Sequence, residues 1–401
     1  MKKIDEIELK GKEVLIRLDL NVSSRNPEEI AEEDRLKAAL PTITYVREKG
    51  GKAILMSHLG RPKGKVVQND SLRCVAKALE TKLGTSVRFI DDCIGEMPRS
   101  AISEMQPGDI VLLENLRFYP GEENNDPEFV KELAKLGEVY INDAFGTAHR
   151  AHASTYGLPL LFHQEGKPVA AGFLMQREIE LWSRVLQSRG PKYLCLGGKK
   201  LKEKIKALEK LSREFDKVYI GGPVYNVVRA AQNRSVGKSL IKEKNDDTDY
   251  VAKTREFLGA LSNLVLPDEL VTARPEREVK DGKETTIYTE PRTIKEDDEM
   301  PEGYMIVDCI YGEEKLEELT KANVVVGFGP FGIFEDERFA KGTRKIGQAL
   351  NNVNTVVLGG GDSAKAYAGT KAELSTGGGA SITYLSKKRL DAIDALEGIK
   401  R

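Results

Sequence analysis

The sequence has few of the residues on which disulfide frameworks and zinc sites depend. Its 401 residues include only four cysteines and four histidines. The cysteines are far apart and form no Cys-x-x-Cys pair: Cys74, Cys93, Cys195 and Cys309. This spacing argues against a disulfide scaffold or a zinc site and favours a reduced, cytoplasmic protein.

Long apolar runs and an excess of one charge are also missing. No segment approaches the ~18 consecutive apolar residues of a membrane span, and the start, MKKIDEIELK, is charged throughout, unlike a signal peptide. The 62 basic residues nearly balance the 63 acidic ones, which argues against a nucleic-acid or membrane partner. The sequence leaves open whether the protein is a monomer or a homodimer.

What the sequence does contain is an alternation of short apolar runs with amphipathic segments. EVLIRLDLNV, KAILMSHLG, KYLCLGG and NTVVLGGGDS are typical of strands, and EDRLKAALPTITYVREKG is typical of a helix. The alternation predicts parallel sheets with helical crossovers. Because the chain is too long for one ordinary core, we expect an α/β protein with two doubly wound parallel-sheet domains joined by a hinge helix.

The domain boundary is predicted near VAAGFLMQREIELWSRVLQSRG, a long amphipathic segment that follows the loop-like GLPLLFHQEGKP. Residues 1–170 form the first predicted domain, and residues 171–384, beginning with the hinge helix, form the second. The tail, 385–401, is expected to pack on the first domain. The charged segment from Thr272 to Gly303 is interpreted as an irregular surface excursion.

Polar side chains gather at the predicted strand ends of the first half. They are Arg17, Asp19, Asn21, His58, Arg61 and Arg117, with Arg35 at a helix start and Arg150 in the loop NDAFGTAHRAHAS. Each alone is typical of a solvated or ion-paired residue. Together they predict an anion-binding cradle, because the carboxyl ends of parallel strands meet at one edge and guanidinium groups bind phosphate bidentately. A zinc site at His149 and His152 is a weaker alternative.

Glycine clusters follow the predicted strands of the second half. They are LGGKKLKEK, IGGP, GFGPFGIFE and LGGGDSAKAY, and STGGGAS precedes a further apolar run. Each is compatible with a simple turn or helix stop, but their number favours backbone amides directed at phosphates. Lys200 and Lys204 lie one helical turn apart and could face the same anion. Asp362 is a hard oxygen ligand suited to the magnesium of a nucleotide.

Two other motifs do not fit their usual functions. GFGPFG matches Gly-x-Gly-x-x-Gly, the mark of a nicotinamide-dependent oxidoreductase, but position 347, where a ribose-binding acid would be expected, is glycine. GTRKIGQA resembles a phosphate-binding loop but has Gln348 in place of lysine. The alternatives that remain are such an oxidoreductase and a non-catalytic anion-binding scaffold.

These residues together resemble one family along essentially the whole chain, the phosphoglycerate kinases. The resemblance rests on RLDLNV, EDRLKAALPTI, MSHLGRPKG, LLENLRFY, YINDAFGTAHRAHAS, VAAGFLMQREI, LGGKKLKEKI, GPFGIFE, LGGGDSAKA and LSTGGGAS. The motifs occur in the family's order and spacing, which is far more specific than any one glycine motif.

The resemblance implies reversible phosphoryl transfer from 1,3-bisphosphoglycerate to MgADP, giving 3-phosphoglycerate and MgATP, in glycolysis and gluconeogenesis. It assigns glycerate binding to Asp19, Asn21, Arg35, His58, Arg61, Arg117 and Arg150. It assigns nucleotide binding to Gly198, Lys200, Lys204, Glu335, Gly360, Gly361, Asp362 and Ser363, with Asp362 on the Mg²⁺ that the nucleotide brings. Catalysis is expected to involve Arg35, Lys200, Gly378 and Gly379 across two domains that close on each other.

Four departures from the family pattern stand out. Gly327-Phe328 replaces a Trp-Asn pair, so one nucleotide contact is missing, and Lys199 stands where alanine is common. Ser23 replaces a proline, and the tail reads RLDAIDAL in place of the usual form. None of these changes removes a charged catalytic position.

Overall fold

The computed structural model describes residues 1–22, 24–26, 29–30, 33–280 and 283–400, so that Ser23 lies outside the described residues. The chain folds into two compact units. Unit 1 is Met1–Ser183 with the tail from Lys387, and unit 2 is Arg184–Ser386. None of the helices in the described part of the chain has the length and apolarity to span a bilayer.

Unit 1 contains, within its described residues, a six-stranded parallel sheet and a short hairpin. Its strands are β1 (Glu13–Leu18), β2 (Ser24–Asn26), β3 (Glu29–Ile30), β4 (Lys52–Met56), β5 (Arg88–Ile90), β6 (Ile110–Leu113), β7 (Val139–Asp143) and β8 (Val169–Ala171). Its helices are α1 (Asp34–Glu48), α2 (Arg73–Leu83), α3 (Glu96–Ser103), α4 (Pro120–Asn124), α5 (Pro127–Ala134), α6 (Leu158–Gln164) and the first part of α7 (Phe173–Gln187).

The sheet and its helices follow from the apolar pattern of the sequence. Most residues of β1, β4, β6 and β7 are buried, as expected for parallel strands covered on both faces. Helix α1 places Leu36, Ala39, Ile43 and Val46 on one buried stripe at a spacing of three to four residues. These side chains join the same core as the strands.

The strand order of this sheet sets the position of the polar residues. The order is β5-β6-β4-β1-β7-β8, so β4 follows β1 on one side of the β1–β7 pair and β8 follows β7 on the other. Leu18 is in register with Asp143 where these two strands end. Ligands of open α/β sheets bind beyond the carboxyl ends of the strands at such a switch point.

Unit 2 repeats this plan with a different strand order and an added antiparallel sheet. Its strands are β9 (Lys192–Leu196), β10 (Lys217–Ile220), β11 (Leu264–Val265), β12 (Glu269–Lys280), β13 (Lys283–Lys295), β14 (Met305–Ile310), β15 (Val324–Phe328), β16 (Thr355–Gly359) and β17 (Glu373–Ser375). After the end of α7, its helices are α8 (Leu201–Leu211), α9 (Gly222–Ala231), α10 (Tyr250–Leu258), α11 (Glu313–Thr320), α12 (Lys341–Leu350), α13 (Gly361–Ala366) and α14 (Gly379–Lys387). The tail of unit 1 forms α15 (Asp391–Leu396).

The parallel sheet of unit 2 has the order β11-β10-β9-β15-β16-β17, the arrangement of the dinucleotide-binding folds. Its switch point lies between β9 and β15, whose following loops are LGGKK and GFGP. The predicted α/β class with two parallel-sheet domains is therefore confirmed. The predicted boundary at residues 170 and 171 precedes α7, whereas the two compact units meet inside this helix, between Ser183 and Arg184.

The interpretation of residues 272–303 as irregular is wrong. Strands β12 and β13 form a long antiparallel hairpin, and β14 pairs with β12 on its other side. Most of the hairpin's side chains are exposed, so the sequence shows no buried alternation there. The extended structure depends on backbone pairing between strands and on β-forming residues such as Thr286, Ile287 and Tyr288.

Two predictions around the boundary also need correction. GLPLLFHQEGKP is not a loop, because it contains α6, which accommodates Pro159 in its first turn. The amphipathic segment does not become helical at residue 170. Val169–Ala171 is the edge strand β8, and the helix begins at Phe173, where Thr42 Oγ1 accepts a 3.0 Å hydrogen bond from the backbone N–H.

Candidate functional site

A buried ion network lies where β1 ends. Arg17 is 1% exposed, and its Nε donates to Ser154 Oγ at 2.8 Å. Ser154 Oγ in turn donates to Oε1 of the fully buried Glu122 at 2.6 Å. Arg17 Nη2 lies 3.1 Å from His58 Nδ1. A buried charge needs such partners, so the network fixes the Arg17 guanidinium and the His58 ring against each other.

Two of the three histidines of this region, His58 and His152, are neutral at neutral pH. Burial, followed by the charges of Arg17 and Arg117, lowers the pKa of His58 well below its usual value. Burial and the neighbouring guanidinium groups lower the pKa of His152 to about 3. The histidines therefore offer hydrogen bonds, while the positive charge of the region belongs to the arginines.

Arg117 is a buried cation with an open donor. Arg117 lies in the short 3-10 turn Leu116–Phe118, which follows β6. Asn115 caps this turn, because its side chain accepts a 3.0 Å hydrogen bond from the Arg117 backbone N–H. Its guanidinium is 3% exposed, donates from Nη1 to the Gly60 carbonyl at 2.9 Å and has Nε 3.2 Å from Glu123 Oε1. Among the described residues Nη2 has no hydrogen-bond partner. Burial lowers the pKa of Arg117 only to about 10.

The loops after β1, β4 and β6 are tied together at Gly60. Its N–H donates to Asn21 Oδ1 at 2.9 Å, and its carbonyl accepts from Arg117. Arg61 follows it and is exposed. Arg35, in the first turn of α1, forms an ion pair with Asp19, yet its side chain remains 38% exposed. The structure thus gathers the predicted glycerate residues of these loops at one edge of the sheet.

The loop NDAFGTAHRAHAS follows β7 at the same edge. Arg150 is partly buried, and its Nε lies 3.3 Å from His149 Nε2. The C-terminal tail contacts this loop, since the N–H of Ala392 in α15 donates to the Ala148 carbonyl at 3.0 Å. Among the residues that the structure describes, no cluster of three or more histidine, cysteine or carboxylate side chains could bind a metal, which leaves the zinc alternative without support.

In unit 2, some glycines of the clusters are required by close backbone packing. Gly198 adopts a φ of 85°, and its N–H donates to the Pro330 carbonyl at 2.8 Å. A Cβ on Gly197 would overlap the same carbonyl oxygen, and one on Gly329 would overlap the Gly197 carbonyl oxygen. The loops after β9 and β15 therefore approach each other backbone to backbone.

Other glycines face open space. A Cβ on Gly360, Gly361 or Gly378 would meet no heavy atom within 4 Å. Gly360 has a φ of 89°, a backbone conformation that favours glycine. Neither close packing nor a positive φ explains the glycine at positions 361 and 378. The adjoining Ser363 is buried, donates to the Gly359 carbonyl at 2.7 Å and accepts from the Gly329 N–H at 2.8 Å. The open glycines leave backbone amides accessible to a ligand.

The two lysines of α8 differ in environment. Lys200 lies at the N-cap position and is exposed. Lys204 is 8% exposed, and its Nζ lies 5.0 Å from the centroid of the Phe328 ring. Burial lowers the pKa of Lys204 to about 8, helped by Lys200 and opposed by Glu203 and Asp362. Lys204 is therefore an ammonium group that titrates close to physiological pH.

The remaining predicted nucleotide residues are at the surface. Glu335 is exposed and lies 3.6 Å from the ammonium of Lys199, one of the departures from the family pattern. Asp362 is exposed in the first turn of α13. A single carboxylate of this kind suits Mg²⁺, which keeps several waters and is shared with substrate phosphates. The residues present therefore fit a magnesium ion that arrives with a nucleotide.

The GFGPFG segment does not form a dinucleotide fingerprint. Such a motif must open directly into a helix, but the segment after β15 continues as turns, and α12 begins only at Lys341. Its first two glycines, Gly327 and Gly329, lie against Leu358 and Gly197. Packing therefore explains these glycines.

Three residues of the two regions were not found from the sequence. Glu122 and Ser154 complete the Arg17 network, and neither belongs to a recognisable pattern in its own segment. Phe328 was noted only as a replacement, and nothing local indicated that its ring contacts Lys204, which lies far away in the chain. These contacts depend on strand order and were beyond the reach of motif analysis.

Proteins of known family resemble this chain over almost its whole length. The family model described as phosphoglycerate kinase matches residues 4–388. The phosphoglycerate kinase of Pelotomaculum thermopropionicum is 41% identical and covers 98% of each chain, and that of Dictyoglomus turgidum is 41% identical over 97% of this chain and 96% of its own.

Solved structures give the same result. Phosphoglycerate kinase from Pyrococcus horikoshii matches with a TM-score of 0.81 at 30% identity over 99% of both chains. The enzyme from Coxiella burnetii matches with a TM-score of 0.76 at 32% identity over 99% of this chain and 98% of its own. The chain belongs to the phosphoglycerate kinase family.

Proposed function

We propose that unit 1 binds the phosphoglycerate and unit 2 the magnesium nucleotide in the reaction of this family. The chain is a phosphotransferase with a carboxyl group as acceptor: it moves a phosphoryl group reversibly between 1,3-bisphosphoglycerate and ADP. The glycerate residues are Asp19, Asn21, Arg35, His58, Arg61, Arg117 and Arg150. The nucleotide residues are Gly198, Lys200, Lys204, Glu335, Gly360, Gly361, Asp362 and Ser363.

The observation that carries the glycerate assignment is the buried guanidinium of Arg117. An unpaired buried donor on a charged group is costly, and Nη2 of Arg117 has no partner among the described residues. Arg17 and Arg150 are close enough to lower its pKa further. An anion with several oxygens, such as a carboxylate or phosphate of phosphoglycerate, would satisfy this donor and offset the repulsion.

The nucleotide assignment is supported by the glycines that packing does not explain. Gly361 and Gly378 have open space where a side chain would be, which lets phosphate oxygens approach the backbone amides. Lys200 and Lys204 add positive charge on the neighbouring helix. The Mg²⁺ that Asp362 would hold draws electron density from the phosphates and neutralises part of their charge.

No general base is needed for this transfer, because its nucleophile is an ionised phosphate or carboxylate oxygen. The protein's task is to orient donor and acceptor and to neutralise the transferring group. We assign that task to Arg35 on one side and to Lys200 with the amides of Gly378 and Gly379 on the other. Arg35 keeps an exposed guanidinium although Asp19 orients it.

Donor and acceptor oxygens must come within bonding distance, and water that would hydrolyse the acyl phosphate must be excluded. We therefore propose that α7, whose residues belong to both units, is part of a hinge. Small-angle scattering should show a smaller radius of gyration when both substrates are bound than when either is bound alone. An unchanged radius would contradict the hinge.

The decisive experiment is a coupled assay that follows ATP formation from ADP and 1,3-bisphosphoglycerate in the presence of Mg²⁺. We expect turnover that disappears when Mg²⁺ is chelated. Binding of both ligands without turnover would indicate an anion-binding scaffold. Binding of NAD in preference to ADP in a parallel titration would favour the oxidoreductase alternative.

A further inference from the structure

The end of β15 carries an aromatic ring, that of Phe328. Phe328 is fully buried, and the edge of its ring lies so close to Gly359 that a Cβ there would overlap Phe328 Cε1. Only glycine leaves room for the ring at this place. The ring is therefore held directly beneath the turn that continues into Gly360 and Ser363.

The face of the same ring is occupied by a cation. Lys204 Nζ lies 5.0 Å from the ring centroid, which is within the range of a cation–π interaction. Among the residues that the structure describes, this ammonium forms no hydrogen bond and no ion pair, and its contact is with the ring. Glu203 and Asp362 are near enough to favour its charged form but do not contact it. The Phe328 ring is therefore the group that the Lys204 ammonium contacts.

We propose that Phe328 is a positioning residue for the nucleotide: its ring face holds the Lys204 ammonium in place for the diphosphate of a nucleoside diphosphate. The inference rests on the proposed nucleotide site and deepens it. Since the π face stabilises the ammonium against burial, it also extends the pH range in which Lys204 is charged. Glu203 and Asp362 favour the charged form as well, whereas the charge of Lys200 opposes it.

The test uses the full chain and isothermal titration with MgADP. Phe328→Leu retains an apolar side chain but has no π face, whereas Phe328→Tyr retains the face. We expect Phe328→Leu to raise the Kd for MgADP about threefold to tenfold and to move the alkaline loss of affinity to lower pH, and Phe328→Tyr to stay within about twofold of the unmodified chain. Affinity for 3-phosphoglycerate should not change.

A double-mutant cycle separates positioning from core packing. In a Lys204→Met background, Phe328→Leu should cause no further loss of MgADP affinity. The matched control is Phe339→Leu, which removes another buried ring of unit 2 that carries a stacked cation, Arg338, and should leave the affinity unchanged. The proposal would be overturned if Phe328→Leu reduced the MgADP affinity equally with and without Lys204→Met. It would also be overturned if Lys204→Met reduced the affinity and Phe328→Leu did not.

Two further outcomes are distinguishable. If neither the unmodified chain nor any variant binds MgADP, the nucleotide site itself is wrong. If the Phe328 variants do not fold, the NMR spectrum of the unmodified chain decides: the ε-methylene protons of Lys204, assigned by comparison with Lys204→Met, should be shifted upfield by the ring current. Unshifted protons would refute the contact.

Discussion

The two proposed binding regions bury positive charge in different chemical forms. Unit 1 buries the guanidinium of Arg117, and its pKa falls only to about 10. Unit 2 buries the ammonium of Lys204, and its pKa falls to about 8. Similar burial therefore leaves one group charged at every physiological pH and brings the other close to its titration range, because guanidinium starts from a much higher pKa and is more weakly hydrated.

The comparison extends to how the cations are held. In unit 1, a network of Ser154, Glu122 and backbone carbonyls fixes the guanidinium groups. In unit 2, glycine-rich turns provide open amides, and an aromatic ring contacts the buried lysine. The comparison indicates two ways to hold cationic groups in place: a network of side-chain hydrogen bonds in unit 1, and tightly packed backbone turns in unit 2. Substitutions in each unit can test this difference.

The largest effect is expected for Arg35→Ala. If the guanidinium neutralises the transferring group, kcat should fall about 100- to 1,000-fold. The Kd for MgADP, which we propose unit 2 binds, should stay unchanged. Steady-state kinetics with nucleotide titration measures both. Arg47→Ala, in the last turn of the same helix, serves as the control. Turnover within a few-fold of the unmodified chain would contradict the role of Arg35.

Arg150→Ala should act mainly on substrate binding. Loss of one charge-assisted hydrogen bond to 3-phosphoglycerate should raise its KM about tenfold or more, with a smaller change in kcat. The exposed Arg88, which pairs with Glu104 outside the pocket, provides a matched control as Arg88→Ala. An unaltered KM would show that the loop after β7 does not contact the glycerate.

Lys204→Met should have opposite effects on binding and stability. The pKa of Lys204 in the folded chain, about 8, lies below the ordinary value of 10.5. At pH 7 the charged ammonium of Lys204 therefore destabilises the folded state. The free energy of unfolding rises as the pH increases from 8 to 10.5, because the folded chain then binds fewer protons than the unfolded one. We expect weaker MgADP binding together with a Tm about 2–6 °C higher. Calorimetry with the exposed Lys206→Met as control measures this, and a lower Tm would contradict it.

The smallest effect concerns pH. Between about pH 6 and 8 the affinity for 3-phosphoglycerate should show no titration of His58 or His152, because burial and nearby guanidinium groups lower the pKa of both histidines. Affinity for MgADP should fall about threefold between about pH 7.5 and 9 as Lys204 loses its charge. Parallel titrations of both ligands test the contrast. A step in glycerate binding near the ordinary histidine pKa of about 6.5 that persists in a His149→Gln variant would contradict it.

Much of this protein could be predicted from the sequence because the signals were local. The runs EVLIRLDLNV and KYLCLGG form β1 and β9, with polar residues following the first strand and glycines following the second. The hairpin of β12 and β13 was missed, since exposed side chains leave no apolar pattern while backbone pairing still supports the strands. Helix α6 was missed because proline and glycine flank its short apolar run.

The sequence by itself determined the α/β class, the positions of the cationic residues and, through its motifs, the family. Only the tertiary structure decided that Arg117 meets Gly60, that Glu122 closes the Arg17 network and that Lys204 lies on Phe328. The physical reason is that apolar periodicity is a property of neighbouring residues. Which loops meet is set by strand order, which brings together side chains that are far apart in the chain.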